Sequence, residues 1–155
     1  MYNLCITGGI KMKYELTTLD KSIVICRIDK DQEIISVLKE IVKNQNIYGG
    51  FFKGIGATKD VVLSYYDLSS KQYIDKEFKG EYEIVSLLGN ISYIYATDEV
   101  VVHAHMAISD KNFVVYGGHL KKAIVSITCE LFILTVNDKL ERVFNEEIGL
   151  YLLKP

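Results

Sequence analysis

The sequence predicts an α+β fold, a mostly antiparallel sheet carrying one main helix. Two observations support this: only one stretch shows helical periodicity over a useful length, and β-branched or alternating segments fill most of the rest. The chain has 155 residues, 49% hydrophobic and 25% charged, which suits one domain with a real core. With one proline and no Ser/Gly-rich linker, we expect residues 12–155 to form a single domain and residues 1–11 a loosely attached N-terminal extension.

The helix is predicted directly after the first clear strand. The apolar, β-branched run at 22–29 predicts that strand. The stretch 31–46, "DQEIISVLKEIVKNQN", then places its isoleucines, leucine and valines at helical spacing. Asp31 stands where an N-cap is expected, because a short carboxylate can accept hydrogen bonds from the first free backbone N–H groups.

The rest of the chain predicts strands. Segment 81–96 predicts either one long strand or two strand pieces with a kink at Gly89, and "VNDKL", residues 136–140, is typical of a hairpin turn. The predicted strand segments are 49–68 (broken by glycines), 71–80, 81–96, 99–108, 113–120, 123–136, 139–145 and 149–154.

Charge and cysteine usage narrow the class of protein. The formal net charge is −2 and no long basic run occurs, which is weak evidence against a chain that binds DNA by itself. Cys5, Cys26 and Cys129 are odd in number and far apart, as expected for buried, reduced thiols. The N-terminus lacks the apolar region of a signal peptide, and no apolar stretch is long enough to span a bilayer. We therefore expect a cytoplasmic protein without a membrane partner.

All three histidines of the chain, His103, His105 and His119, fall within one short window. Residues i and i+2 of a strand project from the same face, so His103 and His105 should point together. A turn followed by a returning strand would bring His119 alongside them. Gly117 and Gly118 suggest a bulge or a close backbone approach that redirects His119.

Three neutral imidazoles suit a divalent transition metal, with Zn²⁺ the first choice. Three protein ligands leave a position for water or substrate, as in catalytic zinc sites, whereas structural zinc normally takes four. Cys129 is the nearest fourth candidate in sequence, although no pattern places it there. The alternative is an ordinary histidine pair at the surface or at a subunit contact.

Three further polar residues are candidates for the site. Glu130 lies in the most apolar predicted strand, where a carboxylate is costly unless it is paired. It is a candidate catalytic base or a partner of a metal-bound histidine; the alternative is a salt bridge at a strand end or subunit interface, for example to Arg27 or Arg142. Ser86 and Asn90 could orient a ligand near the metal, although satisfying the backbone or packing at a subunit contact explains them equally simply.

Six blocks of the chain, in this order, resemble one known family. The chain is similar to the PPC domain, the plant and prokaryote conserved domain also called DUF296, and the resemblance covers most of the chain from the helix onward. The blocks are "GIGA" (54–57), "EIVSLLGNIS" (83–92), "VHAHMAISD" (102–110), "GGHL" (117–120), "CELFI" (129–133) and "ERVFNEEIGLYLL" (141–153).

The resemblance implies a compact α+β fold, assembly as a homotrimer and a family-level description as a DNA-binding protein. Plant members carry a basic "RGRP" AT-hook, which is missing here, since the only proline is Pro155. The chain looks like the stand-alone prokaryotic type that carries the HxH and GGHL histidines. It departs from the family at 29–33, "DKDQE", where many members have a glycine-containing turn.

Three functions therefore stay open at this point. The first is a metal-binding regulatory protein with DNA or a protein as partner. The second is a metal-dependent enzyme or small-ligand binder that uses an open three-histidine site. The third is an interaction scaffold in which an ion only joins strands.

Overall fold

The computed structural model describes residues 13–19 and 22–154, so the predicted extension 1–11 and the residue after it lie outside the described part. One helix and eight strands follow in chain order. They are β1 (Tyr14–Leu19), β2 (Ile23–Asp29), α1 (Ile34–Asn44), β3 (Gly50–Asp67), β4 (Gln72–Ile94), β5 (Val100–Ser109), β6 (Val115–Thr135), β7 (Glu141–Asn145) and β8 (Leu150–Lys154).

The strands form one sheet in the order β1-β2-β6-β3-β4-β7-β8. Strand β5 pairs with both β4 and β6, so β3, β4, β5 and β6 close a circuit of hydrogen-bonded neighbours. Every described strand pair is antiparallel except β4–β7, which is parallel. The expected mostly antiparallel sheet with one main helix is confirmed.

Helix α1 packs one apolar face against the sheet, and β5 and β6 are its principal neighbours. The N-cap is Glu33, so the predicted cap at Asp31 is wrong. Both Glu33 carboxylate oxygens accept from the first turn, at 3.1 Å from Ile35 N and 2.7 Å from Ser36 N. Asp31 instead has a φ of 67°, a conformation that favours glycine, which explains why a glycine-containing turn would suit this loop.

The long strands are continuous where the sequence suggested breaks. Segments 71–80 and 81–96 belong to β4, and segments 113–120 and 123–136 belong to β6. Strand β4 runs without a break through Gly89, as the one-strand alternative predicted. A Cβ there would lie 2.3 Å from the Phe52 ring, so this glycine permits close packing between strands. The predicted hairpin at 136–140 is also wrong, because β7 pairs with β4 and β8 rather than with β6.

The core lies between α1 and the inward face of the sheet. Ala104, Met106 and Ile108 of β5 are almost fully buried there. Cys26 and Cys129 are buried free thiols, as predicted, and Cys5 lies outside the described residues. Burial raises the pKa of both described thiols to about 12, which keeps them protonated and unreactive at neutral pH.

Within residues 13–19 and 22–154, no helix has both the length and the hydropathy that a bilayer-spanning segment needs. The cytoplasmic location stays a prediction.

Candidate metal centre

Strands β5 and β6 bring the three histidines together. His103 and His105 alternate with the buried Ala104, so both project from the opposite face of β5. His119 on β6 lies directly opposite His105 in the strand register. One ligand nitrogen from each ring lies within 4.8 Å of the other two. The sequence predicted that His103 and His105 share one strand face and that a returning strand brings His119 beside them, and β5 and β6 have this arrangement.

Backbone packing helps to place His119. A Cβ at Gly118 would lie 2.9 Å from the carbonyl oxygen of Ser64, so the predicted close backbone approach is confirmed there. At Gly117 the nearest atom would be 3.5 Å away, which is ordinary contact. Of the two glycines, only Gly118 is required by the proximity of β3.

The rings form a compact triangle, with centroids 5.2 to 5.5 Å apart. His103 and His119 are partly buried, and His105 is exposed. A metal held by three imidazoles at roughly 2.0–2.1 Å needs nitrogens about 3.4 Å apart in a tetrahedral arrangement. The three ligand nitrogens already lie within 4.8 Å of one another, and all three donors are imidazoles, so the donor set fits such an ion.

Arg142 on β7 reaches into this cluster and holds His103. Its Nη2 lies 3.1 Å from His103 Nδ1 and donates to Asn90 Oδ1 at 2.8 Å. Its Nε donates to Ser92 Oγ at 2.8 Å, and Nη1 donates to the Tyr151 carbonyl oxygen at 2.8 Å. A guanidinium can only donate, so Nδ1 of a neutral His103 accepts and the ring hydrogen sits on Nε2.

Burial and positive charge keep His103 and His119 neutral. Desolvation, then Arg142, lowers the pKa of His103 from 6.5 to about 4. Desolvation also lowers the pKa of His119, followed by the effects of His105 and Lys121. Neutral imidazole is the form that binds metals, so the environment favours ligation at neutral pH.

An aromatic ring and an ion pair flank His119. The Tyr73 ring packs against the His119 ring with centroids 5.1 Å apart. Asp75 accepts from Lys121 Nζ at 2.9 Å and from Ser64 Oγ at 2.7 Å. The carboxylate whose charge acts on His119 therefore already has a cationic partner.

Glu130 lies outside the cluster. The group of converging ligand atoms among the described residues contains the three histidines alone, and neither Glu130 nor Cys129 belongs to it. Glu130 is exposed and stands opposite Arg27 and Ile55 in the strand register. Within the chain, Arg27 pairs with Glu15 and Asp29, and neither Glu130 nor Arg142 is in an ion pair with a described residue. A salt bridge of Glu130 at a subunit interface stays a prediction. The catalytic role of Glu130 stays a prediction.

Ser86 and Asn90, the two candidate site residues on β4, have different surroundings. Asn90 stands opposite His103 in the strand register and accepts from Arg142, so it does lie beside the site. Ser86 instead lines a depression that it shares with Glu130 and that none of the three histidines lines.

Sequence reasoning missed Arg142 and Tyr73 as members of the site. The sequence indicates Arg142 only as a possible ion partner of Glu130. A basic residue between apolar neighbours in a short terminal strand, "ERVFN", was the available signal. No local pattern could show that this strand pairs with the end of β4.

A profile of the Plants and Prokaryotes Conserved (PCC) domain matches residues 17–137. The chain belongs to this family. It is the PPC family that the sequence blocks predicted, and a solved structure that matches the chain carries the PPC name. A comparison with curated proteins found no match.

Solved structures resemble this PPC fold over almost the whole chain. A proposed DNA-binding protein from Bacteroides thetaiotaomicron is 28% identical, with a TM-score of 0.86, covering 91% of this chain and 96% of its own. A metal-containing protein from Archaeoglobus fulgidus is 30% identical, with a TM-score of 0.79 and coverages of 93% and 98%. A PPC protein from Pyrococcus horikoshii is 27% identical, with a TM-score of 0.79 and coverages of 97% and 98%.

Proposed function

We propose that this PPC protein binds one divalent transition metal, with Zn²⁺ the best fit, through His103, His105 and His119. The observation that carries the proposal is the convergence of three imidazole nitrogens within 4.8 Å. Neutral imidazole is a ligand that zinc prefers, and the low pKa of His103 keeps that ring in the binding form. The metal-containing relative from Archaeoglobus fulgidus supports the proposal.

We further propose that the ion keeps an open position for a small ligand. The described cluster offers three protein ligands and no carboxylate or thiolate as a fourth. His105 is exposed in the single chain, so no described residue of this chain closes the cluster on that side. Three ligands plus an open position is the arrangement of zinc sites that bind or activate a ligand, whereas structural zinc is enclosed by four. A metal-dependent enzyme or small-ligand binder is therefore favoured over a purely structural ion.

The residues around the cluster have separable roles. A bound metal would supply Lewis acidity and a coordination site for an oxygen ligand. Before a metal binds, Arg142 orients the His103 ring through Nδ1, and Asn90 accepts from the guanidinium and holds it in place. The Tyr73 ring covers one side of His119 and limits the directions from which a ligand can approach.

Metal titration of the purified protein tests the proposal. Dialysed protein should take up one Co²⁺ per chain, seen by visible absorption, and Zn²⁺ should displace it. His105→Ala should weaken binding by more than about 100-fold, because it removes a direct ligand. Glu130→Gln is the matched control and should bind normally, since Glu130 lies outside the cluster. Wild-type protein without stoichiometric binding, or His105→Ala binding as wild type, would refute the metal site.

DNA binding is a second candidate, favoured by the description of the Bacteroides relative as a proposed DNA-binding protein. The chain has no AT-hook and a formal net charge of −2, so its contacts with phosphate would have to come from a local basic surface. A mobility-shift titration at low salt, where electrostatic binding is strongest, is the direct test. Absence of a complex there would remove this candidate.

Assembly as a homotrimer is the third part of the proposal. Apolar side chains on the sheet face that carries His105 support it, because an exposed apolar patch on a soluble protein typically marks a contact surface. Phe51, Ile55, Leu88, Phe132 and Leu134 are each at least 44% exposed. Strand registers place these five side chains on one face, which we call the outer face.

A further inference from the structure

Arg142 is a buried cation without a carboxylate partner. Its exposed fraction is 6%, and no ion pair joins it to any residue within 13–19 and 22–154. The other arginine of the chain, Arg27, is exposed and pairs with Glu15 and Asp29. A buried charge is costly unless it is compensated. The surroundings of Arg142 therefore call for an explanation beyond packing.

Most N–H groups of the Arg142 guanidinium have hydrogen-bond acceptors. A guanidinium has five N–H groups. Four of them have acceptors here: Ser92 Oγ, the Tyr151 carbonyl oxygen, Asn90 Oδ1 and His103 Nδ1. The remaining N–H, on Nη1, has no acceptor among the described residues. All of these acceptors are neutral, so none compensates the charge.

A metal on His103 would remove one of these acceptors. A neutral imidazole has one ring nitrogen with a free lone pair and one that carries hydrogen. If the metal binds Nδ1, it takes the lone pair that now accepts from Arg142. If it binds Nε2, the hydrogen must move to Nδ1, where it faces the guanidinium N–H. In both cases Nη2 keeps a buried N–H without an acceptor.

Metal binding would also leave the site with uncompensated positive charge. A divalent ion on three neutral imidazoles, together with Arg142, gives a local charge of three with no carboxylate in the ligand group. Asp75, which acts on His119, is already paired with Lys121. An anion at the open metal position would offset the charge. It would also accept from the two unsatisfied N–H groups, one on Nη1 and one on Nη2.

We propose that the ligand of this site is a small carboxylate, held at once by the metal and by the Arg142 guanidinium. The inference rests on the proposed three-histidine metal site and gives the chemical class of its ligand. A guanidinium matches the two oxygens of a carboxylate in a way that a point charge does not. Metal and carboxylate therefore bind cooperatively, each raising the affinity of the other by the same factor.

The first test measures this coupling in the wild-type protein. The apparent Co²⁺ affinity is titrated with acetate, with acetamide and with inorganic phosphate, at constant ionic strength and with correction for Co²⁺ binding by each additive. Acetate should raise the Co²⁺ affinity by about tenfold, within the usual range for coupled sites. Acetamide, which has the same shape without the charge, should leave the affinity unchanged. An equal effect of acetamide, or a larger effect of phosphate, would overturn the carboxylate assignment.

The second test asks whether Arg142 carries the coupling. Arg142→Gln should retain Co²⁺ binding and lose the effect of acetate, and Arg142→Lys should keep only part of it, because a lysine lacks the planar pair of donors. Arg27→Gln is the matched control, since it removes the only other arginine and should keep the full coupling. Coupling retained in a folded Arg142→Gln protein would overturn the role of Arg142. If that variant does not fold, the comparison of acetate with acetamide in the wild-type protein still tests whether the ligand is a carboxylate.

Failure of this inference and failure of the metal site give different results. Wild-type protein that binds no Co²⁺ would refute the metal site itself. Stoichiometric Co²⁺ binding that depends on His105 but not on acetate would preserve the metal site and refute the carboxylate ligand.

Discussion

At the scale of single residues, a contact from another strand controls the chemistry of His103. Arg142, 39 positions away in sequence, donates to Nδ1 and so decides which ring nitrogen carries hydrogen. The HxH spacing predicted that two rings share a strand face, because that follows from strand geometry alone. The identity of their neighbours could not be predicted, because it depends on pairing between distant strands.

Protonation of His103 should make stability depend on pH. Its pKa is about 4 in the fold against 6.5 ordinarily, so below pH 6.5 the unfolded chain binds a proton that the folded chain does not. The contribution of neutral His103 to the free energy of unfolding is therefore fully present above about pH 6.5 and is lost as the pH falls toward 4. One pKa unit corresponds to ~1.4 kcal/mol; partial solvent exposure reduces the expected loss to on the order of 1–2 kcal/mol.

Urea unfolding at pH 7 and pH 5, with a chelator present, measures this effect. His103→Gln removes the titrating ring and keeps an acceptor for Arg142, so its stability should fall less than that of the wild type on acidification. His119, whose pKa is lowered in the same direction, should leave a residual slope in the variant. Identical losses in the two proteins would contradict the role of His103.

At the scale of elements, the helix shows how far local patterns carry. Apolar spacing predicted the existence and the buried face of α1, because that face must match the core. The N-cap was placed two residues too early, because Glu33 is an uncommon cap whose longer side chain curls back on the first turn. The same carboxylate also accepts from Ala123 N at 3.3 Å, which ties the helix start to β6. Such a tertiary partner is invisible in the local sequence.

Removal of this cap should therefore destabilise the protein. Glu33→Ala removes the acceptor of two first-turn N–H groups and should lower the free energy of unfolding by about 1–2 kcal/mol. Asp31→Gly is the matched control, because Asp31 has a positive φ and a partly exposed ion pair with Lys59. It should change stability by less than about 0.5 kcal/mol. Denaturant unfolding of both variants measures the two losses of stability. A larger loss in Asp31→Gly than in Glu33→Ala would contradict the prediction.

The strands show that local patterns do not predict where a strand ends. Glycines divided the predicted segments in β3 and β4, yet both strands continue because each pairs along its length with the other. The glycines coincide instead with local irregularities: the register shifts between Gly54 and Gly56, and Gly80 has a φ of +93°. A local pattern can therefore mark a bulge, but only the pairing partner decides whether a strand ends there.

At the scale of the whole molecule, the closed circuit of β3 to β6 explains why one small fold can present a metal site. Strand β5 bridges β4 and β6, so residues from three strands meet on the face opposite the core. The buried residues of the same strands fix their register, because a shift by one residue would turn His103 and His105 inward. Fold stability and site geometry thus depend on the same alternation of side chains.

The outer face gives the last prediction, which concerns assembly. Exposed apolar side chains on this face are expected to be covered in solution, and a homotrimer would cover them with copies of the same chain. Phe132 is 44% exposed and is not one of the three ligand residues, so Phe132→Glu should disrupt contacts between copies without removing a ligand. Light scattering should give three times the monomer mass for the wild type and a lower mass for this variant.

Phe113→Ser is the control for that experiment, because Phe113 is 88% exposed in the turn between β5 and β6 and does not belong to the outer face. Its mass should equal that of the wild type. A charge placed inside an apolar contact must be desolvated without a partner, which is why Phe132→Glu should weaken assembly strongly, whereas a turn residue leaves it unchanged. A monomeric wild type, or a trimeric Phe132→Glu protein, would show that the outer face is not where copies meet.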